Sequence, residues 1–341
     1  MNEIPTPASL TAKDFSSDQE VRWCPGCGDY AILKAVQKTL ADVGAETHKT
    51  VFISGIGCSS RFPYYMSTYG FHTIHGRAPA IATGTRLAND DLDIWVVTGD
   101  GDGMSIGGNH LFHALRRNLD MQILMFNNEI YGLTKGQFSP TSRPGTRSPS
   151  SPKGSEMPAA HPCSFALGGG AQFVARSADT LQKHMPEVLK RARAYPGTGF
   201  VELLQNCPIY NDGAFDEITS KKVGADHAIY VEHGQPMIFG KERDRGLRLD
   251  PRTLTIEVVS LGEGGASEAD LLVHDETNLT LAGMLSRLEG PDFPVALGVL
   301  YCAPAGVKSE IDAHPVAGFD AAAASDAVRA MVYGGATWTV D

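Results

Sequence analysis

Four short apolar segments of this chain each run directly into a turn that carries a chemically competent side chain. That repetition restricts the fold more than any other feature. "TVFISGIGCSS" leads to Cys58, "DIWVVTGDGDG" to Asp100, "MQILMFNNEIYG" to Asn128 and "GFVELLQNCP" to Cys207. Each segment is apolar on both faces, as are strands of a parallel sheet covered on both sides. Helical spacing lies between them: Ile32, Val36, Leu40 and Val43, then Leu111, Phe112 and Leu115, and a further helix near 179–194. The expected fold class is therefore α/β, a doubly wound, mostly parallel sheet. Ligands of such sheets sit at the carboxyl ends of strands. Cys58, Asp100, Asn128 and Cys207 are thus expected to meet in one composite site.

At 341 residues the chain can hold one sizeable domain and something smaller. Three parts are expected: an irregular arm over 1–20, a binding domain over 21–215, and a C-terminal extension over 216–341. The extension is more polar, alternates less and shows no catalytic motif. Residues 139–155, "SPTSRPGTRSPSSPKGS", have the composition of a flexible linker. A net charge of −10 argues against a nucleic-acid partner, which needs clustered Lys and Arg. No apolar run approaches the roughly 18–20 residues that span a bilayer, so no membrane partner is expected. The start lacks the basic and apolar regions of a signal peptide, and the expected localisation is cytoplasmic.

Within "GDGDGMSIGGNH…MQILMFNNEIYG", 25 residues lie between Gly101 and Asn127. Glycines let the main chain approach an anion, and the following helix offers free N–H groups to a phosphate. A diphosphate brings more negative charge than amides alone offset, which calls for a divalent cation. Magnesium takes oxygen ligands in an octahedron. The Asp100 carboxylate, the Asn128 amide oxygen and the Ile130 carbonyl supply three from the protein. Either turn alone is an ordinary turn; together, at two strand ends, they point to a diphosphate–magnesium site.

The six cysteines are Cys24, Cys27, Cys58, Cys163, Cys207 and Cys302. In a reducing compartment a close pair such as "CPGC" is metal-binding or catalytic. A zinc ribbon wants a second close Cys or His pair, which the sequence lacks. A thioredoxin-like pair leaves Cys58 and Cys207 unexplained. Four thiolates around an iron–sulfur cube account for more of them. Spacing alone leaves all three open. Cys163 and Cys302 are expected to be small buried hydrophobes.

GDG-x25-NN resembles the motif of thiamine-diphosphate enzymes. With "WCPGCG", "GIGCSSR", "HGRAPAIATGTRLA" and "NNEIYGLTKGQFSPTS", the chain resembles the β subunits of 2-oxoacid:ferredoxin oxidoreductases over roughly residues 20–215. The 2-oxoglutarate branch is the nearest match. This resemblance implies a 4Fe-4S cluster held by Cys24, Cys27, Cys58 and Cys207, with magnesium on Asp100, Asn128 and Ile130. It also implies thiamine diphosphate held by Ile56, Gly57, Cys58, Ser59, His75, Gly99, Asp100, Gly101, Asp102, Asn128, Ile130, Gly132, Leu133 and Thr134. The implied reaction is oxidative decarboxylation of 2-oxoglutarate with coenzyme A, giving succinyl-CoA and CO2, with electrons passing through the cluster to ferredoxin. A pyruvate or broad-range enzyme is the alternative.

Complete thiamine enzymes need a second, pyrimidine-binding domain with a carboxylate for the cofactor. This chain has sequence for one such domain, so an α subunit is expected, in an α2β2 assembly. A distal substrate carboxylate wants a cation, and Arg61 and Lys135 are the candidates, although most such charges are simply solvated. Leu133 is a candidate for the apolar wall of the substrate pocket, or simple packing. His75 is a candidate contact to the cofactor or the substrate 1-carboxylate, or a structural histidine. By the same resemblance, "GQFSPTS" continues the cofactor loop and packs against the α subunit, so the loop 139–155 is expected to be ordered in the complex. The extension is expected to serve subunit assembly. It has no second CxxC, so no additional cluster is expected.

Overall fold

Along the strand Asp93–Gly99, Ile94 and Val96 enter one apolar core while Trp95 and Val97 enter another. Val51 and Phe52 divide in the same way on the strand Thr50–Ser54. This is the period-2 alternation of strands covered on both faces, and it sets the architecture. The computed structural model describes residues 10–304 and 320–334. Its strands in chain order are β1 (Thr50–Ser54), β2 (Tyr69–His72), β3 (Asp93–Gly99), β4 (Met121–Asn127), β5 (Ile130–Tyr131), β6 (Gln137–Phe138), β7 (Phe173–Ala178), β8 (Thr198–Leu204), β9 (Ala228–Val231), β10 (Ile238–Phe239), β11 (Arg245–Asp250), β12 (Thr255–Ser260) and β13 (Val295–Cys302).

Eight of these form one sheet in the order β2-β1-β3-β4-β8-β7-β13-β9. Every pairing in it is parallel except β13 with β7. The helices that matter for the site are α1 (Asp29–Asp42), α2 (Ala78–Ala88), α3 (Asp100–Met104), α4 (Gly108–Arg117), α5 (Pro162–Gly168) and α6 (His184–Ala194). The core on one face takes Ile32, Val36 and Leu40 of α1 with Val188 and Leu189 of α6. The core on the other takes Ala78 and Ala82 of α2, Leu111 and Leu115 of α4, and Ala166 of α5. The sheet is doubly wound, as expected.

Three details differ from the sequence reading. Residues 1–9 lie outside the described residues, and the rest of the N-terminal arm is not irregular throughout. Ala12–Phe15 form a 3-10 turn that plants Phe15, fully buried, in the α1 core. Residues 139–155 are not a loose linker. Ser139, Thr141, Ser142, Ser148 and Ser155 are buried, and main-chain bonds such as Gly145 N–H to Ser155 O at 2.7 Å close the segment on itself. Nor does the chain divide structurally at 215, because β9 and β13 of the extension complete the main sheet. Of the extension's described strands, only β10, β11 and β12 form a separate antiparallel sheet. "FPVALGVLYC" is as apolar as the earlier buried strands, so its burial within the main sheet follows from the same physics.

His184, at the start of α6, packs edge-on against Tyr230 with its Nδ1 2.9 Å from Ser177 Oγ. Burial pushes its pKa down to about 4. The folded state thus holds the imidazole neutral while the unfolded chain takes up a proton near the usual value of about 6.5. Stability is fully present above that value and is lost as pH falls towards 4, by about 2–3 kcal/mol from this one group. His184→Gln is expected to flatten this acid limb when urea midpoints at pH 7.5 and pH 4.5 are compared. Equal acid losses in the variant and the parent would remove His184 as the cause.

Candidate active site

The turn after β3 and the turn after β4 face each other across a cleft at the carboxyl end of the sheet. All fourteen residues implied for cofactor binding line this cleft, together with Phe126 and Tyr131. It holds about 480 Å3 of space, part of it open to solvent. Asp100 lies on its floor, 2% exposed, and its Oδ2 accepts the Thr141 hydroxyl at 2.6 Å. Burial raises the Asp100 pKa despite those donors, so a cation beside it relieves a real desolvation cost. Asn128 Oδ1 accepts the Ile130 N–H at 3.2 Å, and its Nδ2 donates to Gln205 Oε1 at 2.7 Å. That second bond fixes which end of the amide faces which way, and the acceptor oxygen keeps a lone pair for a metal. The donors are all oxygen, which suits magnesium.

Glycine is required where the chain closes on itself. A Cβ on Gly101 would stand 2.3 Å from the Tyr131 ring, whose hydroxyl donates to Gly101 O at 2.9 Å. A Cβ on Gly55 would stand 1.9 Å from Asp102 Oδ2. The Asp102 carboxylate accepts the Gly76 N–H at 2.8 Å, the Ile56 N–H at 3.2 Å and the Thr98 hydroxyl at 2.7 Å. His75 Nδ1 is 2.5 Å from the same group. Asp102 therefore lines the cleft but spends its oxygens on the chain, tying the Ile56 and Gly76 loops to the end of β3, with His75 beside it.

The thiol group lies alongside. The Trp23 indole donates to Cys58 O at 2.7 Å, the Gly28 N–H to Asn206 O at 3.1 Å, and Gln205 Nε2 to Cys27 Sγ at 3.3 Å. These bonds knit the CPGC segment, the GIGC turn and the Cys207 turn into one unit. Cys58 and Cys207 Sγ each lie 3.6 Å from where a Cβ on Gly132 would sit. The field at Cys27 includes Cys58 and Cys207, and that at Cys58 includes Cys207 and Cys24. Burial pushes both thiols up, Cys58 to about 11. A redox-active CxxC does the reverse, holding a depressed thiol pKa. Among the described residues no group of three or more His, Cys, Asp or Glu is placed to hold a single metal ion. The donors gathered here are thiols, the type that an iron–sulfur cluster takes.

The two remaining cysteines lie elsewhere. Cys163 is fully buried with its Sγ 3.1 Å from Glu202 Oε2, and Cys302 is half-buried at the end of β13. Arg61 and Lys135 do not line the cleft. Arg61 donates instead to Arg22 O at 3.1 Å, and Lys135 is an exposed turn residue with φ +76°. His75 and Leu133 do line it. Sequence reasoning missed Phe126, Tyr131, Thr141 and Gln205. Tyr131 sits inside the quoted "NNEIYG", so its neighbourhood gives it away; Thr141 and Gln205 carry no local signal.

A larger cavity of about 1430 Å3, also partly open to solvent, lies around the buried Arg176 and Glu202. Two ion pairs line it: Arg176 Nε meets Glu202 at 2.7 Å, and Arg143 meets Glu129 at 3.2 Å. It presents no diphosphate cradle and no thiols, so the smaller cleft is the candidate site.

Comparison with known proteins agrees with this choice. The family model of the thiamine pyrophosphate enzyme C-terminal TPP-binding domain matches residues 55–203. The chain is 48% identical over 335 residues to 2-oxoglutarate oxidoreductase subunit KorB of Mycobacterium tuberculosis, covering 96% of this chain and 88% of that protein. It is 46% identical over 205 residues to subunit beta of 2-oxoacid:ferredoxin oxidoreductase 1 of Aeropyrum pernix, covering 60% of this chain and 64% of that one. A solved 2-oxoglutarate:ferredoxin oxidoreductase from Magnetococcus marinus, with 2-oxoglutarate, coenzyme A and succinyl-CoA bound, has a TM-score of 0.71 at 31% identity. That match covers 97% of this chain and 94% of the other.

Proposed function

Because this chain belongs to the β subunits of the 2-oxoacid:ferredoxin oxidoreductases, we propose that it is the thiamine-diphosphate-binding subunit of a 2-oxoglutarate-specific enzyme. The reaction consumes 2-oxoglutarate, coenzyme A and two oxidised ferredoxins. It releases succinyl-CoA, CO2, one proton and two reduced ferredoxins. The observation that carries the reading is the double position of Cys58: it lines the cofactor cleft, and its Sγ and that of Cys207 each lie 3.6 Å from where a Cβ on Gly132 would sit.

Asp100, Asn128 and the Ile130 carbonyl would hold magnesium, and the Gly99–Gly101 turn would receive the diphosphate. Cys24, Cys27, Cys58 and Cys207 would hold a 4Fe-4S cluster, with Gly132 leaving room between two of the sulfurs. Thiamine diphosphate, when bound, supplies the nucleophilic carbon and the electron sink for decarboxylation. Asp102 holds His75 at the cleft wall, where the imidazole can meet the cofactor or a substrate carboxylate. Leu133, half exposed, forms an apolar part of the rim. Arg61 and Lys135 do not line the cleft of this chain alone; they remain the cations proposed for the distal carboxylate.

That partner would be an α subunit with the pyrimidine-binding domain, in an α2β2 complex that passes electrons to ferredoxin. The surface supports this. β2 is exposed along its whole length, with Tyr69 and Phe71, and Ile74, Ile81, Leu87 and Ile106 are exposed as well. Single exposed apolar residues are ordinary, but this many on the elements flanking the open cleft favour a covered surface. The extension's role in assembly is proposed on the same footing. Among the described residues no helix is long and apolar enough to cross a membrane.

The test is anaerobic purification with the α subunit, iron and sulfide analysis, and ferredoxin reduction with different 2-oxoacids. About four irons per chain are expected. A kcat/KM for 2-oxoglutarate about tenfold or more above that for pyruvate is expected, since a charged contact to the distal carboxylate is worth that much. Equal use of both acids would replace the specific reading by a broad-range one, which the Aeropyrum relative's name favours. Zinc in place of iron would end the redox reading.

A further inference from the structure

Gln205, 2% exposed, makes one side-chain hydrogen bond to each of the two donor sets. Its Oε1 accepts from Asn128 Nδ2 at 2.7 Å, and its Nε2 donates to Cys27 Sγ at 3.3 Å. The same nitrogen donates its other hydrogen to Asn206 O at 2.5 Å. The orientation is forced. Asn128 Oδ1 is committed to the Ile130 N–H in its turn, so Nδ2 faces Gln205 and requires an acceptor there. The amide nitrogen of Gln205 is then the end left for the sulfur. Gly28 keeps the side chain in place, since a Cβ there would come within 3.0 Å of Gln205 Cγ and 1.9 Å of Asp179 Oδ2. Asp179 in turn accepts the Asn206 N–H at 2.8 Å, next to Cys207.

We propose that Gln205 is a positioning residue that joins the magnesium–diphosphate seat to the thiolate cage and sets the potential of the cluster. This rests on the cluster and cofactor assignment above and adds to it the residue through which the two sites are coupled. An N–H donated to a thiolate stabilises the more negative, reduced cluster, so the bond raises the potential. The acceptor end holds the Asn128 amide so that its oxygen, and not its nitrogen, is offered to the metal. One side chain thereby fixes a ligand of each site, and its two ends can be separated by substitution.

The experiment uses the anaerobic complex with its α subunit and two variants, Gln205→Leu and Gln205→Glu. Three quantities are read: iron content, the cluster midpoint potential by EPR-monitored titration, and magnesium-dependent thiamine diphosphate affinity. Gln205→Leu loses both bonds, so a lower potential and about tenfold weaker cofactor binding are expected, the usual scale for an outer-shell metal partner. Gln205→Glu keeps an acceptor for Asn128 but sets a carboxylate against Cys27. Its potential is expected to fall at least as far while the cofactor affinity stays near that of the parent. Iron-replete variants with the parent potential overturn the proposal, as does a Glu variant that loses affinity as the Leu variant does. Loss of iron confined to the variants also overturns it, because Gln205 is then only a packing element of the cage. Iron-free parent protein instead overturns the cluster assignment, which keeps the two failures apart.

Discussion

Asp100→Ala is expected to abolish magnesium-dependent thiamine diphosphate binding, weakening it more than about 100-fold, while leaving the iron content intact. Even outer-shell changes cost metal sites 10–100-fold, and this is a direct ligand. The carboxylate is buried, pushed up in pKa by that burial, and held by Thr141. Such a group is maintained against a desolvation cost, and removing its charge does not destabilise the empty site. Asp100→Asn sharpens the test because it keeps the volume and an acceptor for Thr141. Its unliganded melting temperature is expected to equal or exceed that of the parent, with cofactor affinity still lost. Isothermal titration with and without magnesium reads the effect. Unchanged affinity in either variant would remove Asp100 from the metal site.

Cys207→Ala is expected to lose most of the iron and the absorbance near 400 nm, whereas Cys163→Ala keeps both. The two residues are similarly buried, so burial alone does not distinguish them. Their surroundings do: Cys207 shares the Gly132 neighbourhood with Cys58, and Cys163 points to Glu202 on another part of the sheet. Cofactor binding is expected to survive Cys207→Ala, because Cys207 does not line the cleft. Full iron occupancy in the Cys207 variant would break the proposed ligand set. Iron loss in the Cys163 variant would show that the contrast reflects general fragility.

Much of the site is readable without coordinates because its signals are local. A buried strand followed by Gly-Asp-Gly, or by Asn-Asn, declares both its own geometry and the chemistry it carries. The reading failed where composition substituted for partners. Serines and prolines at 139–155 look like a linker, yet Thr141 and its neighbours are buried against Asp100. Arg61 sits three residues after Cys58, and its guanidinium donates to the Arg22 carbonyl, a partner 39 residues away that the local sequence does not name. Sequence proximity does not say which way a side chain points.

What this sequence determined alone is the alternation of strand and helix, the turn chemistry at the strand ends, and the residue types able to hold a metal and a diphosphate. Each of these depends on steric and hydrogen-bonding preferences spanning a few residues. Tertiary structure alone decided that β13 returns to lie against β7, and that one amide reaches both Cys27 and Asn128. Those two contacts cross 178 and 77 residues of chain. Such partners are chosen by the order in which crossovers stack the strands, a global outcome of burying both sheet faces that no short window encodes.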